Sequence, residues 1–540
     1  MKKILLVTTL SILFLCACSS DFLETRSTQS IDEGLVFTDT KSAMLAVNGL
    51  HNLLWNQTIS TTAPLGGFQM LMIWMDVMGE DLVYTYSNAQ YQTQSRWGLH
   101  RNVTSTGLLY HFRILNYCVS NANMIMVNID DVEGPENEKN NIKGQALFYR
   151  AFGYFYLTQL WAERYKAEGN NTQPGIVMRS DGSRTPKERS SVEEVYAQIN
   201  KDLDEAIQHL AATTVVRPNK SHINVHVARG LKARVLLAQS KWVEAAEMAK
   251  LVVDNCGAGL QNDTYTAANR FSDNSNREWL WSTNKELGQI RSSGYLEFFS
   301  YMSNQSLPSY NGNTPRAIYN LLYDKISPTD VRKGIWFPRA ADKTSTPRPL
   351  YAISGSGRVA NYMANKFLVA DVSVRGADVP FMRLPEMMLI MAEGYARAGR
   401  NAEAQDALYP LALHRDSRYV KSTNTGTDLI DEVMIQRRVE LWGEGFRFTD
   451  LKRLNMPLDR GPAPRPGYST AWWVAVAGSG SATFPFPDNW DPEASNFNMY
   501  ENGTVVGEEN RYRPAGHKDW QWVFPQSVLD SNPLCEQNPL

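Results

Sequence analysis

A chain of 540 residues has room for one large hydrophobic core or for several ordinary domains. Its 43% hydrophobic and 20% charged content is that of a globular protein and excludes a disordered one. A formal charge of −2 lends no support to nucleic-acid binding, and 11% aromatic residues suit both ring stacking on a ligand and a large helical core.

Residues 1–17 read as a targeting segment. Lys2 and Lys3 form a basic start, and Ile4 to Leu15 is an apolar run too short to span a bilayer. Leu15-Cys16-Ala17-Cys18 resembles the lipobox of bacterial lipoproteins, which implies Cys18 as the acylated first residue of the mature chain. No later segment approaches the ~20 apolar residues of a membrane helix. Cys118, Cys256 and Cys535 are too few and too scattered for a disulfide framework, so burial is expected, with at most one bridge.

Thr40 or Asp39 caps a first helix running to Leu54, with Ala43, Val47 and Leu50 on one face. Residues 56–105 are rich in Gly, Thr, Ser, Asn and Gln and read mostly as loop, apart from the apolar run Phe68–Val77. A buried stripe spaced at Leu109, Phe112, Leu115, Val119, Ala122 and Met126 predicts a helix over Leu108–Ile129, and an aromatic-rich one follows over Glu138–Trp161. Ser191 with Glu194 is a capping box opening the next helix.

Two helix pairs follow. Asn224–Gln239 and Trp242–Val253 are joined by Ser240-Lys241, and Trp242, Ala245, Ala249 and Val252 hold the large and small positions of a tetratricopeptide hairpin. Pro385–Arg397 and Ala402–Leu413, separated by Gly399, repeat the pattern with Ala404, Leu408 and Leu411. Between the pairs, residues 257–382 are irregular and carry Tyr295 and Tyr301, with β-prone runs such as Glu278–Thr283. Pro457–Arg511 is a second loop-rich insertion; loops this long in a compact protein are usually functional or disordered, and aromatic content speaks against disorder.

The stretch Asp431–Leu454, DEVMIQRRVELWGEGFRFTDLKRL, begins as an amphipathic helix that Gly443 and Gly445 end or kink. Arg437, Arg438, Arg447, Lys452 and Arg453 alternate with Glu440, Glu444 and Asp450, and that mixture of signs points to an internal ion-pair network rather than to an anion-binding patch. The same residues resemble the RR-x-EL…EG-x-R…DL-x-R signature of the SusD/RagB nutrient-uptake lipoproteins of Bacteroidetes: Arg437, Arg438, Glu440, Leu441, Glu444, Gly445, Arg447, Asp450, Leu451 and Arg453 carry it. The resemblance extends to the leader, to KSAMLAVNGLHNLLW, to LLYHFRILNYCVSNANMIM, to the aromatic helix and to the ending Phe524-Pro525-Gln526, Asn532-Pro533-Leu534, Gln537-Asn538-Pro539. It departs at Val528, where an acidic residue is usual, and at the final Leu540.

The expected fold is mainly α, a tetratricopeptide-like helical hairpin scaffold with a loop-rich inserted ligand-binding region. Residues 18–256 form its N-terminal helical region and 257–540 its C-terminal SusD/RagB region. The resemblance implies a surface lipoprotein of the outer membrane, held to the membrane by its lipid alone. It would capture a nutrient, most often an oligosaccharide, without catalysis or cofactor and pass it to a SusC-like TonB-dependent transporter. Peptide capture in the RagB manner is the alternative, and a surface glycoside hydrolase a further one, since 56 carboxylates always allow some facing pair. Common hydrolase, metalloprotease and nucleotide motifs are absent from the sequence; His222 and His226 stand four apart but read as a solvated face, not a metal site. Aromatics placed beside amide and hydroxyl residues are the candidate ligand contacts: Tyr84, Tyr86, Tyr91, Trp97, Tyr295 and Tyr301.

Overall fold

The computed structural model describes residues 37–56, 65–84, 91–180, 185–261, 264–265, 271–286, 297–304, 316–336, 358–359, 362–368, 376–460, 474–475, 500–501, 504–505 and 512–540. The fold is mainly α; the named strands pair only as two-stranded antiparallel ribbons. The leader and Cys18 lie outside the described residues, as do Tyr86 and Tyr295.

Helix α1 (Thr40–Leu53) starts where the Asp39 carboxylate accepts the Ser42 N–H at 2.7 Å and buries Ala43, Val47 and Leu50. Helix α2 (Phe68–Val77) is buried along all ten residues, so a sequence apolar on every side becomes a central helix rather than a surface one. It leads into β1 (Leu82–Tyr84). Helices α3 (Thr106–Asn128), α4 (Glu136–Trp161) and α5 (Val192–Ala212) pack side by side through glycine contacts. A Cβ on Gly153 would stand 2.7 Å from the Leu115 carbonyl oxygen, so only glycine permits that crossing. The aromatic stripe of α4, including Phe148, Tyr149, Phe152 and Phe155, is core. The Ser191–Glu194 capping box is formed, with Ser191 N–H donating to the Glu194 carboxylate at 2.7 Å.

The first hairpin is α6 (Val225–Ala238) and α7 (Trp242–Asn255). Ribbon strands β2 (Trp279–Ser282) and β4 (Pro380–Arg383) then pair antiparallel, with Trp279 opposite Arg383, before α8 (Leu384–Arg397) and α9 (Asn401–Arg415) complete the second hairpin. The two hairpins stack directly: a Cβ on Gly394 of α8 would lie 2.4 Å from the Trp242 carbonyl oxygen and 2.9 Å from Ala246 Cβ of α7. The long insertion therefore leaves and re-enters the helical scaffold at one point, closed at its base by the β2–β4 ribbon. Inside it, β3 (Arg316–Ile318) returns to pair with β1, Tyr84 opposite Arg316.

Helix α10 (Gly426–Glu440) and the short α11 (Arg447–Arg453) form the charged stretch, broken by Gly443 and Gly445 at φ +79° and +86°. Both glycines are required by backbone sign, and Gly445 also by room, since its Cβ would meet Met72 Cα at 2.9 Å. Helix α12 (Gln526–Ser531) lies in the closing segment. Cys118, Cys256 and Cys535 are free thiols. His222 departs from the expected solvated face: it is half-buried, its ring meeting that of His51 edge-on at 4.5 Å, because a third helix covers the start of α6. Among the described residues no helix is long and apolar enough to cross a membrane, and no group of three His, Cys, Asp or Glu could hold a metal.

Candidate functional site

The insertion is held to the helical scaffold by buried charge. Glu440, at the last turn of α10, accepts from three guanidiniums: Arg383 at 3.0 Å, Arg415 at 3.0 and 3.2 Å, and Arg332 at 3.1 Å. Arg383 also grips Glu444 through two bonds of 2.7 and 2.8 Å and reaches Glu278, which Arg415 meets at 2.9 Å. Lys366 donates to Glu444 and to the carbonyl oxygens of Glu440 and Trp442, and Arg332 pairs with Asp330. Phe271 lies under both Lys366 and Arg383, and Tyr265 under Arg415. Four cations thus face four carboxylates in a dry interior. Burial pushes the Glu440 carboxyl up, but Arg415, Arg383 and Arg332 outweigh it and hold the group well below its ordinary value. Burial draws Lys366 down to about 8 against the pull of Glu444.

A second cluster runs from α10 to α8. Asp450 receives Arg437 at 2.7 Å and Arg453 at 2.8 Å, and Arg453 forks onto Glu393 at 2.8 and 2.7 Å. In a third, Arg438 and Arg447 meet Glu80 and Asp81, which follow α2. The Asp76 carboxylate accepts the N–H groups of Gly445, Phe446 and Arg447, supplying from α2 the cap that α11 lacks in its own sequence. Burial raises Asp76 to about 7 even so. Lys452 is buried without a carboxylate bonded to it; its ammonium donates to the carbonyl oxygens of Gln159 and Ala162, both at 2.7 Å, and burial lowers it to about 7. Buried ion pairs of this kind cost desolvation and contribute mainly by fixing one arrangement. Here they fix where the inserted region sits on the hairpins.

The expected ligand aromatics divide. Tyr84 ends β1, opposite Arg316 of β3. Tyr91, Trp97 and Tyr301 are 3%, 3% and 1% exposed and are core residues, not surface contacts. Tyr91 and Tyr301 meet edge to face at 5.1 Å, while Trp97 donates from its indole to the Met78 carbonyl oxygen and packs on Trp520 and Phe448. A loop-like composition concealed a buried aromatic layer.

Beside the first charge cluster an open cleft of about 430 Å³ lies between residues 325–332, residues 416–424 and α10. Ile326, Ile435 and Val439 line it together with Asp330, Asp416, Tyr419, Asp428, Asp431 and Glu432. Asp330 is paired to Arg332, Asp416 accepts from Thr329 and the Arg418 N–H, and Glu432 accepts from Tyr419, Ser422 and Asn424. These three carboxylates serve as acceptors within the fold, and the cleft offers polar contacts beside an apolar strip.

Comparison with known proteins agrees with this architecture. Residues 78–237 match the SusD-like family described as starch-binding associating with outer membrane, and residues 345–540 match the SusD family proper. The chain belongs to the SusD/RagB family. Among curated relatives, this SusD-family chain is 23% identical over 294 residues to a SusD-like protein of Bacteroides ovatus, 52% of this chain and about half the length of that relative, 49%. A SusD-like protein of Formosa agariphila is 23% identical over 385 residues, covering 65% of this chain and 73% of the relative. Of solved structures, a SusD-like carbohydrate binding protein from Bacteroides vulgatus superposes with a TM-score of 0.72 at 23% identity, covering 92% of this chain and 98% of that one. A SusD superfamily protein from Bacteroides thetaiotaomicron gives 0.69 at 18% identity, covering 93% and 100%. These structural likenesses speak for the fold.

Proposed function

We propose that this protein captures an oligosaccharide at the cell surface and passes it, uncleaved, to a SusC-like TonB-dependent transporter. The observation that carries the reading is the family match, whose description is starch-binding with outer-membrane association. The carbohydrate-binding name of a structural neighbour adds to it. The physical support is a large inserted region clamped on a rigid helical base by buried ion pairs, which suits a binding surface and makes no demand for acid–base chemistry. Cys18 is the proposed lipid attachment point, tethering the protein to the outer face of the outer membrane. Tyr84, Tyr86 and Tyr295 remain the proposed stacking contacts; Tyr91, Trp97 and Tyr301 are core and are not proposed as contacts.

Glycan and peptide arrays probed with the mature chain lacking Cys18 test this. Retention of one glycan class supports it. Retention of peptides alone would replace it with RagB-like peptide uptake.

A further inference from the structure

The end of α4 is completed by residues that come hundreds of positions later. The last carbonyl groups of a helix have no partner within it. At α4 the Leu160 oxygen accepts the Trp522 N–H at 2.9 Å, the Trp161 oxygen accepts the Asn538 amide at 2.5 Å, and the Gln159 and Ala162 oxygens accept Lys452. The Trp161 indole in turn donates to the Val523 carbonyl oxygen at 2.9 Å. Trp522, Val523 and Phe524 are 0%, 0% and 1% exposed, and Trp522 packs against Trp74 of α2 and Trp161 of α4.

The segment is also fastened by side-chain amides. The Gln537 amide closes on both the N–H and the carbonyl of Phe524, at 2.7 and 2.8 Å. The Asn532 amide does the same to Lys187, at 2.9 and 2.8 Å. Asn538 donates its second hydrogen to the Trp522 carbonyl oxygen. Arg101 donates to the carbonyl oxygen of Pro539, the residue before the last. Removing the segment would leave buried acceptors on α4 unpaired and open a gap the size of Trp520, Trp522 and Phe524 in the core.

We propose that residues 514–540 are a folding latch: the helical body of α2–α5 stays open until the C-terminal segment seats on the end of α4. Folding of that body is thereby delayed until residues 514–540 are available, which suits a protein read as exported.

The test keeps the full chain. A protease site placed within residues 476–482 is cut after folding, and the nicked protein is examined in native buffer, then unfolded in urea. The fragments are separated and refolded alone or together. The latch predicts that the nicked fragments co-elute in native buffer. The larger fragment refolded alone is digested by trypsin roughly tenfold faster or more, as its open population rises. Adding the C-terminal fragment back restores the intact rate. A larger fragment as resistant alone as in the complex would overturn the latch. So would a sensitive fragment that the C-terminal piece fails to rescue, because the segment would then be an inseparable part of the core rather than a piece that closes on a waiting body.

Discussion

Replacing Glu440 by Gln tests whether buried charge holds the inserted region in place. The amide keeps the side chain's shape but removes the carboxylate shared by Arg332, Arg383 and Arg415. Its NH2 can only turn a donor toward guanidiniums that are themselves donors. The cluster then holds four cations against Asp330, Glu278 and Glu444, one positive charge in excess at a site with 0% exposure. Breaking a buried pair by removing one partner costs about 3–5 kcal/mol. The expected result is an unfolding free energy lowered by that amount at neutral pH, read as a lower urea midpoint with the slope unchanged. Glu403→Gln, whose exposed carboxylate pairs with Arg400 on the surface, should leave the midpoint where it was. The sign with pH follows from the depressed Glu440 value: its contribution is complete above the ordinary 4.5 and is lost as pH falls below that. The gap between wild type and Glu440→Gln should therefore narrow below pH 4.5. Equal midpoints for the two variants at pH 7 would refute the framework argument.

Other perturbations act on neighbouring elements. Gly445→Ala puts a Cβ against Met72 backbone at a φ of +86° and should cost more than about 1 kcal/mol by urea melting; a neutral result would show the turn to be soft. Asp76 is raised to about 7, so the folded state keeps a proton that the unfolded chain releases near 3.8, and stability from this group falls as pH rises from 4 to 7. Asp76→Asn should lack that fall, seen by comparing urea midpoints at pH 4.5 and 7.5. Lys452, lowered to about 7, works in the opposite sense: between pH 7 and 10.5 the unfolded chain holds more protons, so stability rises with pH. Lys452→Met should flatten the rise between pH 6.5 and 9.5; an unchanged slope would mean the ammonium is not desolvated.

The helices were legible where the apolar period was clean and the end was capped, as at Asp39, at Ser191 with Glu194, and in the two hairpins. The direct stacking of α7 on α8 was not, because Gly394 and Trp242 are separated by an insertion and no local pattern joins them. The signature stretch displayed half of its network. Its missing partners Lys366, Arg383 and Arg415 stand in stretches that give no local hint of a partner, whereas the stretch around Asp76 does. A charge isolated in an apolar run, such as Asp76 in FQMLMIWMDV, is the signal that was available, since a buried charge must be paired. The ligand aromatics were read by loop composition, and composition carries no burial information. Tyr91, Trp97 and Tyr301 therefore looked like the exposed residues they are not, and their positions follow only from tertiary packing against Trp520, Phe448 and each other.

The central claim is capture without turnover. The mature chain should be titrated calorimetrically with the oligosaccharide that an array selects, and the ligand recovered afterwards and sized by chromatography. The account predicts saturable binding and a recovered oligosaccharide of unchanged length. Shortened products would make the protein a glycosidase, and the absence of saturable binding to any glycan would contradict the carbohydrate reading altogether.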